Sequence, residues 1–359
     1  MSEDVISTLS VQQSSDYVSQ SSSMSERSRT HDPLYYQTVL YQNHIEIINP
    51  RRSREPPSIT GHLSKIRTPH PSPNLSQAFV NEFVTGLYDL QNDADQTALS
   101  EFITNLLPST SLSLSRWLDY TNGEGGLCAY LSSTAGLAHI SQSFLCRHMV
   151  PPDVVTPRLG QVYRYSYQTQ DAAFTDAQLK TQLRLKDNVG NTLSIANNEG
   201  LRFPFFVIEL EGEGKNWVSA NKIGGGCFAC LRSVQAINRA LEESRQKSST
   251  PSSPRQHHTG GWQHPPQELG VDNLVYGLTA DNNIARLYVA WYLEDSGGGI
   301  SGCKLFQVEE FVLTRVQELQ SLWVRIRHIL DWGKERRLAQ IRQALDHLES
   351  DDFSLKYDN

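Results

Sequence analysis

Glu209 and Glu211 close an apolar run, Phe203-Pro-Phe-Phe-Val-Ile-Glu-Leu-Glu211, whose aromatic and β-branched residues read as a buried strand. Residues two apart on a strand share a face, so the two carboxylates would stand about 7 Å apart on one side. Such a pair at a strand end is suited to a metal or another cation. A turn over Gly212 to Asn216 then leads through Trp217-Val-Ser-Ala-Asn-Lys222 to Gly224, Gly225, Gly226 and a helix. Free N–H groups at a helix start form an anion site that could hold a phosphate, with Lys222 adding charge. Glycines there serve equally for a tight turn into the helix and close packing on the strand. Cys227 and Cys230 form a lone C-x-x-C just beyond. Zinc would need a second pair, and Cys146 with His148 does not repeat the spacing. A thiol at a helix start could do redox chemistry, but two small core residues one turn apart is the favoured reading.

These residues need elements to hold them. Phe79, Phe83, Leu87 and Leu90 recur at helical spacing behind Pro73-Asn74, and a second helix is expected over Gln96 to Leu107, ahead of Pro108. Gly160 to Gln168 alternates polar and aromatic residues as a strand does, and Phe203 to Glu209 reads as a central strand. The helix expected over Gly224 to Glu243 carries Leu231, Val234, Ile237 and Leu241 on one face. Asn273 to Thr279 and Ile284 to Leu293 form a hairpin about Asp281-Asn-Asn283. From Phe311 the pattern is helical, with Val316, Leu319, Trp323, Ile326 and Leu330 in a stripe, a break near Gly333, and a second helix through Leu338, Ile341, Leu345 and Leu348. Packing on the protein's own sheet is the favoured use of that stripe, ahead of a partner surface. The class is α/β, with helical additions at both ends.

The chain of 359 residues is long enough for one large or two ordinary domains. A net charge of −7 gives no global basic field, so any nucleic-acid contact would be local. Five scattered cysteines fit a reducing compartment. Neither a membrane-spanning run nor a secretory signal is visible, and an intracellular, cytoplasmic or nuclear, location is expected. Residues 1–29, rich in Ser and Gln, read as a disordered tail, and 243–270 as a flexible insertion whose His257, His258 and His264 are solvated. Arg51-Arg-Ser-Arg54 reads as an exposed basic loop, with nuclear import or phosphate contact as the functional alternative.

Phe203-Pro-Phe-Phe-Val-Ile-Glu209, Trp217-Val-Ser-Ala-Asn221, Gly224-Gly-Gly226 with Cys230, Ala285-Arg-Leu-Tyr288 with Trp291, and Arg327-His-Ile-Leu-Asp-Trp-Gly-Lys334 together resemble a fungal family of uncharacterised proteins with PD-(D/E)XK nuclease-like domains. The likeness covers roughly Val150 to Leu348 and implies a restriction-endonuclease-like central mixed sheet flanked by helices. The implied organisation is a tail over 1–29, a mainly helical region over 30–149, the nuclease-like domain over 150–348 and a short tail over 349–359.

In the resembled pattern an Asp and a Glu hold Mg²⁺ and a Lys two residues beyond the Glu steadies developing negative charge. Here Glu209 matches the Glu, Gly160 falls at the Asp position and Glu211 at the Lys position. Two accounts fit. In one the site is rebuilt: Glu209, Glu211 and a substitute Asp153 hold the metal, Lys215 or Lys222 supplies the cation, and Lys215 with the glycines meets phosphate. In the other, favoured, account the fold persists without catalysis, and Lys222 or Arg232 neutralises the carboxylates. The expectation is a catalytically degenerate protein with a binding or accessory role, on nucleic acid or protein, and no small-molecule cofactor. The alternatives are an active Mg²⁺-dependent phosphodiesterase and a protein-interaction factor acting through its C-terminal helices.

Overall fold

The computed structural model describes residues 32, 34–51, 53–69, 75, 77–92, 137–156, 158–165, 173–187, 189–196, 201–210, 216–248, 270–294 and 300–357. Within these, seven strands make one mixed sheet in the order β1-β7-β6-β5-β4-β3-β2. The strands are β1 (Ile45–Ile48), β2 (Leu137–Phe144), β3 (Arg158–Tyr165), β4 (Arg202–Leu210), β5 (Val275–Ala280), β6 (Ile284–Glu294) and β7 (Ile300–Val312). β2, β3 and β4 form an antiparallel meander, whereas β4 and β5 run parallel. A parallel neighbour requires a crossover, and the helix α4 supplies it. The helices are α1 (Pro57–Arg67), α2 (Gln77–Asn92), α3 (Asp176–Gln182), α4 (Asn216–Ser248), α5 (Val316–Trp332) and α6 (Leu338–Tyr357).

β4 forms where the apolar run predicts it, and eight of its nine residues are buried. It lies beside the middle strand of the sheet. The β5–β6 hairpin closes as expected, because Asp281 Oδ1 accepts from the amides of Asn283 (2.8 Å) and Ile284 (2.7 Å). The helices at Phe79 and at the C-terminal stripe are also found. β1, β2 and β7 were not foreseen; the first two lie in the region expected to be mainly helical and belong to the same sheet as the rest.

α4 covers one face: a Cβ on Gly277 of β5 would lie 2.6 Å from Ile223 and 3.5 Å from the Cys227 sulfur. Tyr276, next along the strand, points the other way. There His62 of α1 and Trp332 of α5 contact its ring at 5.8 and 5.4 Å. The sheet therefore sits between helices on both sides, a mixed α/β architecture.

Gly333 does not break the C-terminal helix. A π-helical turn, Gly333–Arg337, joins α5 to α6 without interruption. The Tyr165 hydroxyl donates to the Gly333 carbonyl at 2.8 Å, and Phe205 occupies the space a side chain would need, since a Cβ there would lie 2.3 Å from its ring. Gly333→Ala is expected to destabilise the protein by about 2 kcal/mol or more through overpacking. A denaturant midpoint unchanged from wild type would show that the ring moves aside freely.

Several expectations fall outside the described residues: the tail 1–29, the helix at 96–107, and the three histidines of the insertion. α4 runs on to Ser248, so the first residues of the stretch 243–270 are helical, and α6 continues to Tyr357 through the stretch expected to be a tail. No helix among the described residues is long and apolar enough to cross a membrane.

Candidate functional site

Glu209 sits one residue from the end of β4 and is 2% exposed. A carboxylate in such a place requires partners, and two come from different elements. Gly160 of β3 donates its amide to Oε1 at 2.8 Å, and the Lys222 ammonium of α4 lies 3.7 Å from Oε2. Gly160 is the residue at the metal-binding Asp position of the resembled pattern. Its own Cβ position is closed by the Ile208 carbonyl oxygen at 3.1 Å. The backbone amide thus faces Glu209 where a second carboxylate was to be sought.

The register continues this site across the sheet. Glu209 pairs with Thr279, Thr279 with Arg286, and Arg286 with Glu310. Paired residues point to the same face, so a polar row runs from β4 to β7 on the side that α4 covers. Arg286 and Glu310 close it with an ion pair at 2.7 Å. The row opens into a cleft of about 650 Å³, lined among others by Trp217 and Ala220 of α4, Arg286 and Tyr288 of β6, Gln307 of β7, and Arg51. Arg51, the first residue of the basic cluster, lies in the turn after β1. The motif Ala285-Arg-Leu-Tyr288 supplies two of these residues, whereas the β7 contribution left no sequence signal, since β7 itself was not anticipated.

Other expected site residues are placed differently. Gly224, Gly225 and Gly226 lie inside α4, which begins at Asn216. Their amides are spent on helical hydrogen bonds, so the phosphate site at a helix start is not formed. Gly224 instead lets α4 approach β1: a Cβ there would lie 3.3 Å from Leu40 and 3.4 Å from Ile45. For the same reason Cys227 and Cys230 are mid-helix and fully buried, and burial pushes both thiols up, Cys230 to about 12. That removes the redox reading.

Arg232 donates to the His148 carbonyl at 2.9 Å, and the His148 ring meets the Thr192 carbonyl. Lys222, not Arg232, is the cation at Glu209. Asp153 is exposed on the turn ahead of β3. Glu211 and Lys215 lie outside the described residues, and among those described no group of three His, Cys, Asp or Glu side chains is placed to hold a metal ion.

The motif Arg327 to Lys334, part of the resemblance, is structural where it is best defined. Trp332 donates to Asp272 at 3.3 Å and packs on Phe205 and Tyr276, and Gly333 makes the π-turn.

No curated protein and no solved structure matches the chain. A family model described as a domain of unknown function, DUF7924, matches residues 164–345, just over half of the chain, from near the end of β3 to the middle of α6. The strand bearing Glu209, the helix bearing Lys222 and the π-turn all lie within that stretch, and the chain belongs to this DUF7924 family.

Proposed function

We propose that this chain is a PD-(D/E)XK nuclease-like protein whose site no longer cleaves and which acts by binding, with nucleic acid as the first partner to test. The order of helix, antiparallel strands, short helix, acidic strand, crossover helix and parallel strand, from α2 to β5, supports the nuclease-like fold. One observation carries the loss of cleavage: the Glu209 carboxylate is held by the Gly160 amide and the Lys222 ammonium, in the place where the resembled chemistry needs a second carboxylate. Metal-assisted hydrolysis takes much of its transition-state stabilisation from the ion itself. A carboxylate that already accepts an amide hydrogen bond and faces an ammonium is a poorer ligand for that ion.

The test is incubation of the full chain with single- and double-stranded DNA and RNA in Mg²⁺ or Mn²⁺. The expected result is no cleavage above the buffer level, and retention of any binding in Glu209→Gln. Metal-dependent cleavage that disappears in Glu209→Ala overturns the proposal. It would favour the second reading, an active phosphodiesterase with a relocated cation, for which the Lys222 to Glu209 distance of 3.7 Å is the supporting observation.

A further inference from the structure

β1 covers only part of the edge of β7. Their parallel pairing runs from Ile45 with Cys303 to Ile48 with Phe306, and there the chain turns away at Asn49 and Pro50, while β7 continues to Val312. Among the described residues no strand pairs with Gln307 to Phe311 on that side. The direction of the backbone groups follows from the ends. The Leu313 amide reaches inward to the Asn283 carbonyl, and the Val312 amide is taken by Glu318 Oε2 of α5. Backbone groups alternate along a strand, so Glu310 presents its groups outward, to the edge that β1 vacates; nearer β1 the Cys303 amide reaches outward to the His44 carbonyl, so Gln307 does the same on the other side of the extra residue Val308. The gap is bounded by β1 at one end and by the Glu318 carboxylate at the other. It spans five residues, about 16 Å of extended chain.

This gap lies along the cleft. Trp217 of α4, 38% exposed, offers aromatic surface above the buried Tyr288, and Ile47 and Ile48 an apolar wall. The acids of β7 are already paired, Glu310 with Arg286 and Glu309 with Arg325. Arg51 has no ion-pair partner among the described residues, which leaves the cleft with one uncompensated cation. The pairing of β6 with β7 slips between Leu287 and Tyr288, so a bulge twists the edge locally. Bulges and charges discourage open-ended joining of sheets, while a short strand can still be received.

We infer that the vacated edge of β7 is a docking site for a short extended segment of a partner protein, added to the sheet in line with β1. The segment carries an aromatic or large aliphatic residue for Trp217 and an acidic residue for Arg51. Main-chain hydrogen bonds to Gln307 and Glu310 hold it, and the two side chains select it. This inference does not depend on whether Glu209 cleaves anything.

The experiment uses the full chain and a phage-displayed library of random linear peptides, with amide exchange as the readout. In the free protein the Glu310 amide is expected to exchange at least tenfold faster than amides bonded within the β6–β7 ladder. Enriched peptides are expected to combine an acidic and a large apolar residue, to slow Glu310 exchange at least tenfold, and to bind at least tenfold more weakly to Trp217→Ala and Arg51→Glu. Three results overturn the inference: a Glu310 amide already as slow as the ladder in the free protein, peptides that bind without slowing it, or a library that yields none that does. Protection of the same amide by a single-stranded oligonucleotide or by self-association at high concentration, with no peptide effect, overturns it equally.

Discussion

Arg337→Ala is expected to lower the stability of the fold by about 3–5 kcal/mol. The side chain is fully buried at the end of the π-turn. Its Nη1 donates to the carbonyls of Leu274 and Asp272, and its guanidinium lies 5.3 Å from the Trp332 ring centre. Burial lowers its pKa, with Tyr165, Cys230 and Asp272 acting in the opposite direction. Truncation would take the Arg337 donor from the Leu274 carbonyl just ahead of β5, leave the Asp272 carbonyl with only the Leu274 amide, remove the cation from the indole and open a cavity behind Trp332. Arg337→Met separates these causes, since it keeps most of the volume and loses only charge and donors. Chemical denaturation of both variants is the measurement, and the alanine is expected to fall well below the methionine. A loss under about 1 kcal/mol in Arg337→Ala would mean that Arg337 is not a structural anchor.

Acidification is expected to weaken the protein through His62 before most carboxylates are protonated. Burial between Tyr276 and Trp332 lowers this histidine to about 4, helped by Arg336 and Lys65 and opposed by Asp272. Its folded-state value lies below the unfolded value of 6.5. The unfolded chain therefore binds the extra proton first, so stability is complete above pH 6.5 and falls as the pH drops from there toward 4. The full difference is about 3 kcal/mol. Asp272 adds to the loss at still lower pH: burial alone would raise it, but hydrogen bonds from Gln340 and Trp332 and the Arg336 guanidinium hold it below the usual range. Denaturation midpoints at pH 7, 5.5 and 4.5 for the wild type and His62→Phe test this, the phenylalanine keeping the ring contacts without the titration. Parallel curves for the two proteins would rule out His62 as the titrating group.

What the sequence disclosed was local. The Phe203 to Glu209 run, the Asp281-Asn-Asn283 turn and the spacing of Leu319, Trp323 and Ile326 each encode an element within a few residues. What it concealed was contact at a distance. β1 has only four residues and forms a strand by pairing with Cys303 to Phe306; nothing near Ile45 announces a partner so remote. β7 mixes Lys304, Gln307, Glu309 and Glu310 with its apolar residues because arginines from β6 and α5 neutralise the acids. The glycines of α4 were placed at a helix start because glycine is costly inside a helix, and only the proximity of Leu40 and Ile45 explains Gly224. At the site, a carboxylate at the end of the Phe203 run was legible, but its acceptance of the Gly160 amide required the β3–β4 register.

The order of the strands also separates what is recognisable in this chain from what can fold. The matched stretch opens at Arg164, near the end of β3, and omits β1, β2 and nearly all of β3. An excised polypeptide of those boundaries would bare both flanks of its remaining sheet: β4 would lose the neighbour whose Gly160 amide secures Glu209, and β7 the neighbour that ends at Ile48. The heritable signature is thus narrower than the cooperative unit, and the outermost strand on either flank comes from sequence lying before the match.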